Sequence, residues 1–360
     1  MKLVELLRRI KPNTTRWLYP HSSRAFTYTE KNISNVFYYN VNFLCNSDCI
    51  FCAADLTKKR TFGKMLLGDI LNSFENYFSN DGNAVVINGG EATLYKELFE
   101  ITNKAVAGKA QIILFTNGRK LSDYDFAKHI LQNISRVTIP LYGDTSKSHD
   151  QMTRRAGSFK ETVQGIKNIL LLKKSLIPQL QLELKCLTVE PCLERIPKII
   201  DFICNEFDVP DRFVLSGVIP SKKVMAKEDE LLPDWNILSA SARDGFVSLI
   251  KNHYPVVTLP DFPLCLLEKE HLHYYLLQNT DESSELSPVD FLYFDAFHTQ
   301  GVKPGTKFGK PDICLACPLN FVCDADNNFL ARIDPGFYNL NKDLIKVSGY
   351  LNSAEGDITC

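Results

Sequence analysis

From residue 35 the chain alternates short apolar or β-branched runs with longer segments whose apolar positions recur at helical spacing. The runs predict strands at about 35–44, 84–89, 111–116, 136–142, 179–187 and 212–219. Between them the pattern predicts helices near 65–79, 94–106, 122–133, 158–173 and 193–206, with another near 235–252. Strands and helices in this order define an α/β protein with a parallel sheet. Periodicity alone leaves a barrel, a partial barrel and a flat doubly wound sheet open.

Side-chain parity adds to this. In "QLQLELKCLT", Leu180, Leu182 and Leu184 alternate with Gln181, Glu183 and Lys185. In a barrel the helices cover the outer face, so the leucines should point outward and the polar set into the lumen. The same parity in "YYNVNFL" sends Val41 and Phe43 outward and Asn40 and Asn42 inward. A lumen of Asn, Gln, Glu and Lys reads as one built to hold a polar ligand.

Parallel α/β folds place their chemistry at the C-terminal ends of strands. Those ends read "CNSDCIFC", "NGGEATL", "TNGRKLS", "LYGDTSKSHD", "KCLTVEP" and "SGVIPSKK", all polar or glycine-containing. From residue 255 the alternation breaks, prolines gather at Pro255, Pro260 and Pro263, and cysteines return in "PLCLL" and "DICLACPLNFVCD". This divides the chain into a short extension at 1–34, an α/β core at 35–254 and a small metal-stapled domain at 255–360.

Composition narrows the class. At 45% hydrophobic residues the chain can bury a sizeable core, and 41 basic against 42 acidic residues leave no electrostatic footprint for nucleic acid. Lys58-Lys59-Arg60 and Lys222-Lys223 read as solvated loop charges. No apolar run reaches the ~18 residues of a membrane span, and "MKLVELLRRIKPN" is too charged for a secretory signal. A cytoplasmic address is the expectation, so the eleven cysteines should be thiols grouped into metal sites rather than disulfides.

Cys45, Cys49 and Cys52 are spaced C-x3-C-x2-C. Zinc usually takes four protein ligands, or three with an open position, and thiolates also hold iron–sulfur clusters. Taken alone, the triplet leaves both open. With Phe51 before the third cysteine, it resembles the cluster loop of the radical S-adenosylmethionine (SAM) enzymes. The resemblance continues through Gly89-Gly90-Glu91, then "FTNG" and "IPLYGDTSKSHDQMTRRAGSF", and covers about residues 35–220. Ala92 stands where proline is common in that family.

What the resemblance implies is specific. The fold would be a partial (β/α)6 TIM-like barrel. Cys45, Cys49 and Cys52 would ligate a 4Fe–4S cluster whose fourth iron is left for SAM. Gly89, Gly90 and Glu91 would meet the SAM amino group, and Phe51 would lie near the adenine. Asn117, Arg154, Lys185 and Ser216 are further candidates for polar contacts with SAM or substrate. Each has a plainer reading as well, Lys185 as an ion-pair partner of Glu183 and Arg154 as a solvated charge. His149 reads as a loop or capping residue.

A second set, Cys314, Cys317 and Cys323, is spaced C-x2-C-x5-C, with Cys265 as a fourth thiolate and Cys360 as its substitute. It resembles the auxiliary-cluster extensions called SPASM and Twitch, and implies a second 4Fe–4S cluster with every iron held by protein. A structural zinc suits the same four thiolates. Cys186, Cys192 and Cys204 read as buried small hydrophobes.

Three functions are consistent with these motifs. In the first, a peptide-modifying maturase generates a 5′-deoxyadenosyl radical from SAM and abstracts a hydrogen atom from a peptide or protein. In the second, the same chemistry acts on a small metabolite by dehydrogenation, decarboxylation or rearrangement. The third is a non-catalytic metal-stapled binding protein. The few residues before the first strand leave no space for a separate leader-peptide-binding domain, which weighs against the first. Either enzyme implies a low-potential electron donor such as flavodoxin or ferredoxin, with no nucleic-acid or membrane partner.

Overall fold

The computed structural model describes residues 36–52, 66–79, 82–208, 210–218, 222–254, 257–259, 262–267 and 271, and a short antiparallel pairing of Thr15–Arg16 with Thr27–Tyr28. Its centre is a parallel sheet of β1 (Val36–Asn40), β2 (Ala84–Asn88), β3 (Gln111–Phe115), β4 (Arg136–Pro140), β5 (Gln181–Thr188), β6 (Arg212–Gly217) and β7 (Val257–Thr258). Each strand pairs with the next in sequence. A doubly wound sheet would reverse its order partway. The sequential order is that of a barrel, and among the described residues it is open, with β1 and β7 as its ends.

The helices are α1 (Leu67–Phe78), α2 (Leu98–Ala107), α3 (Tyr124–Leu131), α4 (Ser146–Thr153), α5 (Ser158–Ser175), α6 (Ile196–Glu206), α7 (Lys222–Met225), α8 (Glu228–Leu231) and α9 (Trp235–Lys251). Their apolar stripes meet one face of the sheet. Ile70 and Phe74 of α1, Ile101 of α2, Ile166, Ile169 and Leu172 of α5, and Ile199 and Ile203 of α6 are buried there. The strand residues in the same core are Val85, Ile87, Ile112, Leu114, Val137, Ile139, Leu182, Leu184 and Cys186. The parity read from the sequence holds for β5, and Cys186 is a fully buried outward residue.

The opposite face carries paired polar groups at the starts of its strands. Cross-strand register places Phe115, Thr138, Glu183 and Arg212 in one row, and Ile113, Arg136 and Gln181 in the row beside it. Several of these polar groups pair with one another. Thr138 donates to Glu183 Oε1 at 2.8 Å, Arg212 Nε to Glu183 Oε2 at 3.0 Å, and Arg136 Nε to Gln181 Oε1 at 3.1 Å. Arg136 also lies 3.8 Å from Glu183 Oε2. The ion-pair partners of Glu183 in this network are arginines at the starts of β4 and β6. The lower lumen is a polar floor, with Glu183, Arg136 and Arg212 buried in it.

Four elements, α4, α7, α8 and β7, and the end of β1 were not legible in the periodicity. β1 ends at Asn40 instead of running to residue 44, because Asn42 turns its amide onto Glu91 O and accepts from Leu44 N, each at 3.0 Å. The stretch after β4 contains α4, whose few apolar residues give no stripe. Its start is a capping box, in which Thr145 and Ser148 exchange side-chain and backbone hydrogen bonds. β7 carries the sheet past residue 254, and the turn after it docks on α9, where Ser239 donates to Leu266 O at 3.1 Å. The short helices α7 and α8 follow β6.

Candidate active site at the mouth of the sheet

The loop after β1 carries Cys45, Cys49 and Cys52, all half-buried, and neighbouring strand ends hold it from several sides. From β2, Gly90 N donates to Asn42 O at 2.8 Å and Glu91 N to Leu44 O at 2.7 Å. From α4, the carbonyls of Thr153 and Met152 accept from Asp48 N at 2.9 Å and Ile50 N at 3.0 Å. From the β3 loop, Asn117 Nδ2 donates to Asn46 Oδ1 at 2.7 Å, while Arg119 Nη1 reaches Asn46 O and lies 3.3 Å from Ser47 Oγ. Arg155 Nε adds a contact to Asn46 O at 3.0 Å. Short bonds from β2, β3 and α4 pre-set the path of the cysteine loop.

The glycines of the Gly89-Gly90-Glu91 motif have a steric reason. A Cβ on Gly90 would stand 2.3 Å from Leu44 O, and one on Gly89 2.6 Å from Asn42 O. Only glycine lets β2 approach the cysteine loop this closely. Sequence reading assigned that close approach to a ligand, whereas the backbone it meets here is residues 42–44.

Glu91 is 2% exposed, and its carboxylate is heavily used. Oε1 accepts from Thr93 N at 3.0 Å, Thr93 Oγ1 at 2.6 Å and Thr116 Oγ1 at 2.6 Å. Oε2 accepts from Asn117 N at 2.7 Å. Glu91 therefore locks the end of β3 to the end of β2. A carboxylate offers about four lone-pair sites. With about two sites per oxygen, Oε2 and its single donor leave room for one more.

Phe51 is 6% exposed and packs edge-on to Tyr142, with ring centroids 4.7 Å apart. Tyr142 N in turn donates to Nδ1 of buried His149 at 3.2 Å. Burial holds His149 down to about 4, with Arg119 lowering it further and Asp150 opposing. A neutral imidazole is what that accepted hydrogen bond requires. His149 is a packed structural residue of α4 behind the cysteine loop. Burial pushes the Cys49 thiol up to about 12, helped by Cys52 and Cys45 and opposed by Lys223.

These properties bear on which metal group suits the donors. Three thiolates close enough to repel one another need positive charge between them. Among the described residues no three His, Cys, Asp or Glu side chains converge on a single metal position. Three thiols presented on one loop are the donor type that an iron–sulfur cluster takes.

The remaining candidates divide. Asn117 joins the cysteine loop as described. Arg154, with φ of +50° at the end of α4, lies 3.7 Å from Asp48 Oδ2, a contact with the loop itself. Lys185 and Ser216 sit further round the sheet on β5 and β6; Lys185 is half-buried, and buried Ser216 donates to Gly217 O at 3.1 Å. Cys265 is half-buried against the core, and Cys314, Cys317, Cys323 and Cys360 lie outside the described residues. Cys192 is buried and donates to Tyr142 O at 3.3 Å, while Cys204 is half-buried. Sequence reading missed Arg119, Arg155 and Lys223, whose contacts with the loop cross long stretches of chain. Among the described residues no helix is long and apolar enough to cross a membrane.

Residues 39–175 match the model of the radical SAM superfamily, a span containing the cysteine loop and the Gly89-Gly90-Glu91 motif. Residues 39–175 therefore carry a radical SAM domain. The AdoMet-dependent heme synthase of Methanosarcina barkeri (strain Fusaro / DSM 804) is 23% identical over 122 residues, 34% of this chain and 35% of that protein. The match thus spans about a third of the length of this curated relative. Native anSMEcpe with bound AdoMet has a similar structure at 14% identity and a TM-score of 0.57, covering 88% of this chain and 99% of that one. Streptococcus suis SuiB bound to precursor peptide SuiA is 15% identical with a TM-score of 0.49, covering 72% of this chain and 54% of that one. At that identity the first of these structures establishes the fold alone, an α/β partial barrel.

Proposed function

We propose that Cys45, Cys49 and Cys52 hold a 4Fe–4S cluster and that this chain uses it to initiate radical chemistry on a peptide or protein side chain. With one electron, such a cluster supplies reductive cleavage of SAM to methionine and a 5′-deoxyadenosyl radical, which takes a hydrogen atom from substrate. The observation that carries this reading is the way Gly90, Glu91 and Asn117 hold the three-thiol loop at the strand ends by short hydrogen bonds. In this reading Glu91 offers its remaining lone pair to the SAM ammonium. Gly89 and Gly90 keep the backbone close, and Phe51 and Tyr142 give an apolar wall near the adenine. Asn117, Arg154, Lys185 and Ser216 supply polar contacts to SAM or substrate.

Residues 255–360 would form an auxiliary domain in which Cys265, Cys314, Cys317 and Cys323 hold a second 4Fe–4S cluster. A low-potential flavodoxin- or ferredoxin-like protein in the cytoplasm would supply the electron. A second reading, a small-molecule substrate, is favoured by one observation. The curated relative matched over 122 residues is a heme synthase, whose product is a small molecule.

The test is anaerobic reconstitution followed by analysis for 5′-deoxyadenosine. The expected protein binds about eight irons, four per cube, and replacing Cys45, Cys49 and Cys52 together by Ala leaves about four. Cys49→Ala should abolish 5′-deoxyadenosine formation from SAM and dithionite. Stoichiometric zinc in the parent, with no cluster absorption, would overturn the reading. Turnover of a peptide library against a porphyrin and nucleoside panel then separates the two substrate classes.

A further inference from the structure

Lys223 lies in α7, far along the chain from the cysteine loop, yet its ammonium donates to the backbone carbonyl of Cys49 at 2.7 Å. The same nitrogen lies 3.2 Å from Asp48 Oδ1. Its side chain is 35% exposed, so water screens it only in part. The other cations around the loop are differently engaged. Arg119 is paired with Glu161 at 2.5 Å, Arg154 approaches Asp48, and Arg155 donates to Asn46 O. Lys223 sets a full positive charge on the peptide of a proposed ligand.

We propose that Lys223 is a positioning residue that tunes the reduction potential of the group held by Cys45, Cys49 and Cys52. The inference rests on the cluster reading above. Reduction adds one electron, delivered by a low-potential iron–sulfur or flavin donor, to a site already rich in thiolate charge. No bond in the protein forms or breaks. A fixed cation beside the site favours the more negative, reduced state, so Lys223 raises the potential and makes reduction easier. Asp48 opposes it from the same loop. The pair gives the chain two levers of opposite sign on one electron transfer.

The experiment is an anaerobic redox titration of the full chain with dithionite and mediators, following the electron paramagnetic resonance signal that changes when SAM is added. That SAM-responsive signal separates this site from any auxiliary cluster. Lys223→Gln keeps a donor for the Cys49 carbonyl but removes the charge, and should shift the equilibrium roughly tenfold toward the oxidised form, ~59 mV for one electron. Lys223→Arg should hold the parent potential, and Asp48→Asn should move it the opposite way. Opposite shifts from two neighbouring substitutions are not produced by general loosening of the loop. Equal potentials in parent, Lys223→Gln and Asp48→Asn, with the signal intact, would overturn the inference alone. A parent with no SAM-responsive signal would instead overturn the cluster reading beneath it.

Discussion

Glu91 is a structural acceptor as well as the proposed partner of the SAM ammonium, so its substitution should show more than a loss of SAM affinity. Truncation to Ala leaves the amides of Thr93 and Asn117 and two hydroxyls without their acceptor. A buried polar group left unsatisfied costs ~1–3 kcal/mol. Gln does not repair this, because its NH2 would face a donor where an oxygen now accepts. Glu91→Ala and Glu91→Gln should both lower the thermal unfolding midpoint and the iron retained before any SAM is added. Normal stability and iron with weakened SAM affinity by anaerobic calorimetry would reduce Glu91 to a ligand residue. At this scale the sequence made Glu91 visible as part of a motif. Its four donors come from three residues, two of them on the next strand end, and no spacing rule reveals that.

At the scale of elements, the cysteine loop depends on the fit of β2 beneath it. Gly90→Ala would place a methyl 2.3 Å from Leu44 O, a contact between two backbones that neither side can relieve by a rotamer change. The hydrogen bonds from Gly90 N and Glu91 N to the loop would be lost together. Gly90→Ala should thus retain its far-ultraviolet circular dichroism but lose most of the SAM-responsive cluster on reconstitution. Gly68→Ala, where nothing lies within 4 Å of the added carbon, is the matched control. Iron contents equal in the two variants would remove the steric account of the motif. Elements with an apolar stripe were legible in advance, because a stripe is what both the sequence pattern and the core require. β5 and α5 are examples. Helix α4 was not legible, since the mixed polar run "SKSHDQMT" has no stripe and is held by a capping box. Lys223 was read as a solvated charge because no local rule links a lysine after β6 to a carbonyl after β1.

The whole molecule separates a polar floor from the mouth proposed to react, and the floor can be tested independently. Glu183 is 1% exposed between Arg136 and Arg212, each 6% exposed, at the starts of their strands. Removing one member of a buried ionic network strands the others' charges and typically destabilises by ~3–5 kcal/mol. Glu183→Leu should therefore lower the urea midpoint sharply. Replacing all three by apolar residues of similar volume should recover much of that loss, since such exchanges are often neutral or stabilising. Thr138, which donates to Glu183, would remain the one hydroxyl to accommodate. The cysteine loop takes its contacts from the opposite strand ends and from α4 and α7. Cluster loading and 5′-deoxyadenosine formation per folded molecule should then be unchanged in the triple variant at low temperature. A triple variant as stable as the parent but unable to cleave SAM would place the floor residues in the chemistry. The lumen would then be the polar substrate pocket that its sequence first suggested.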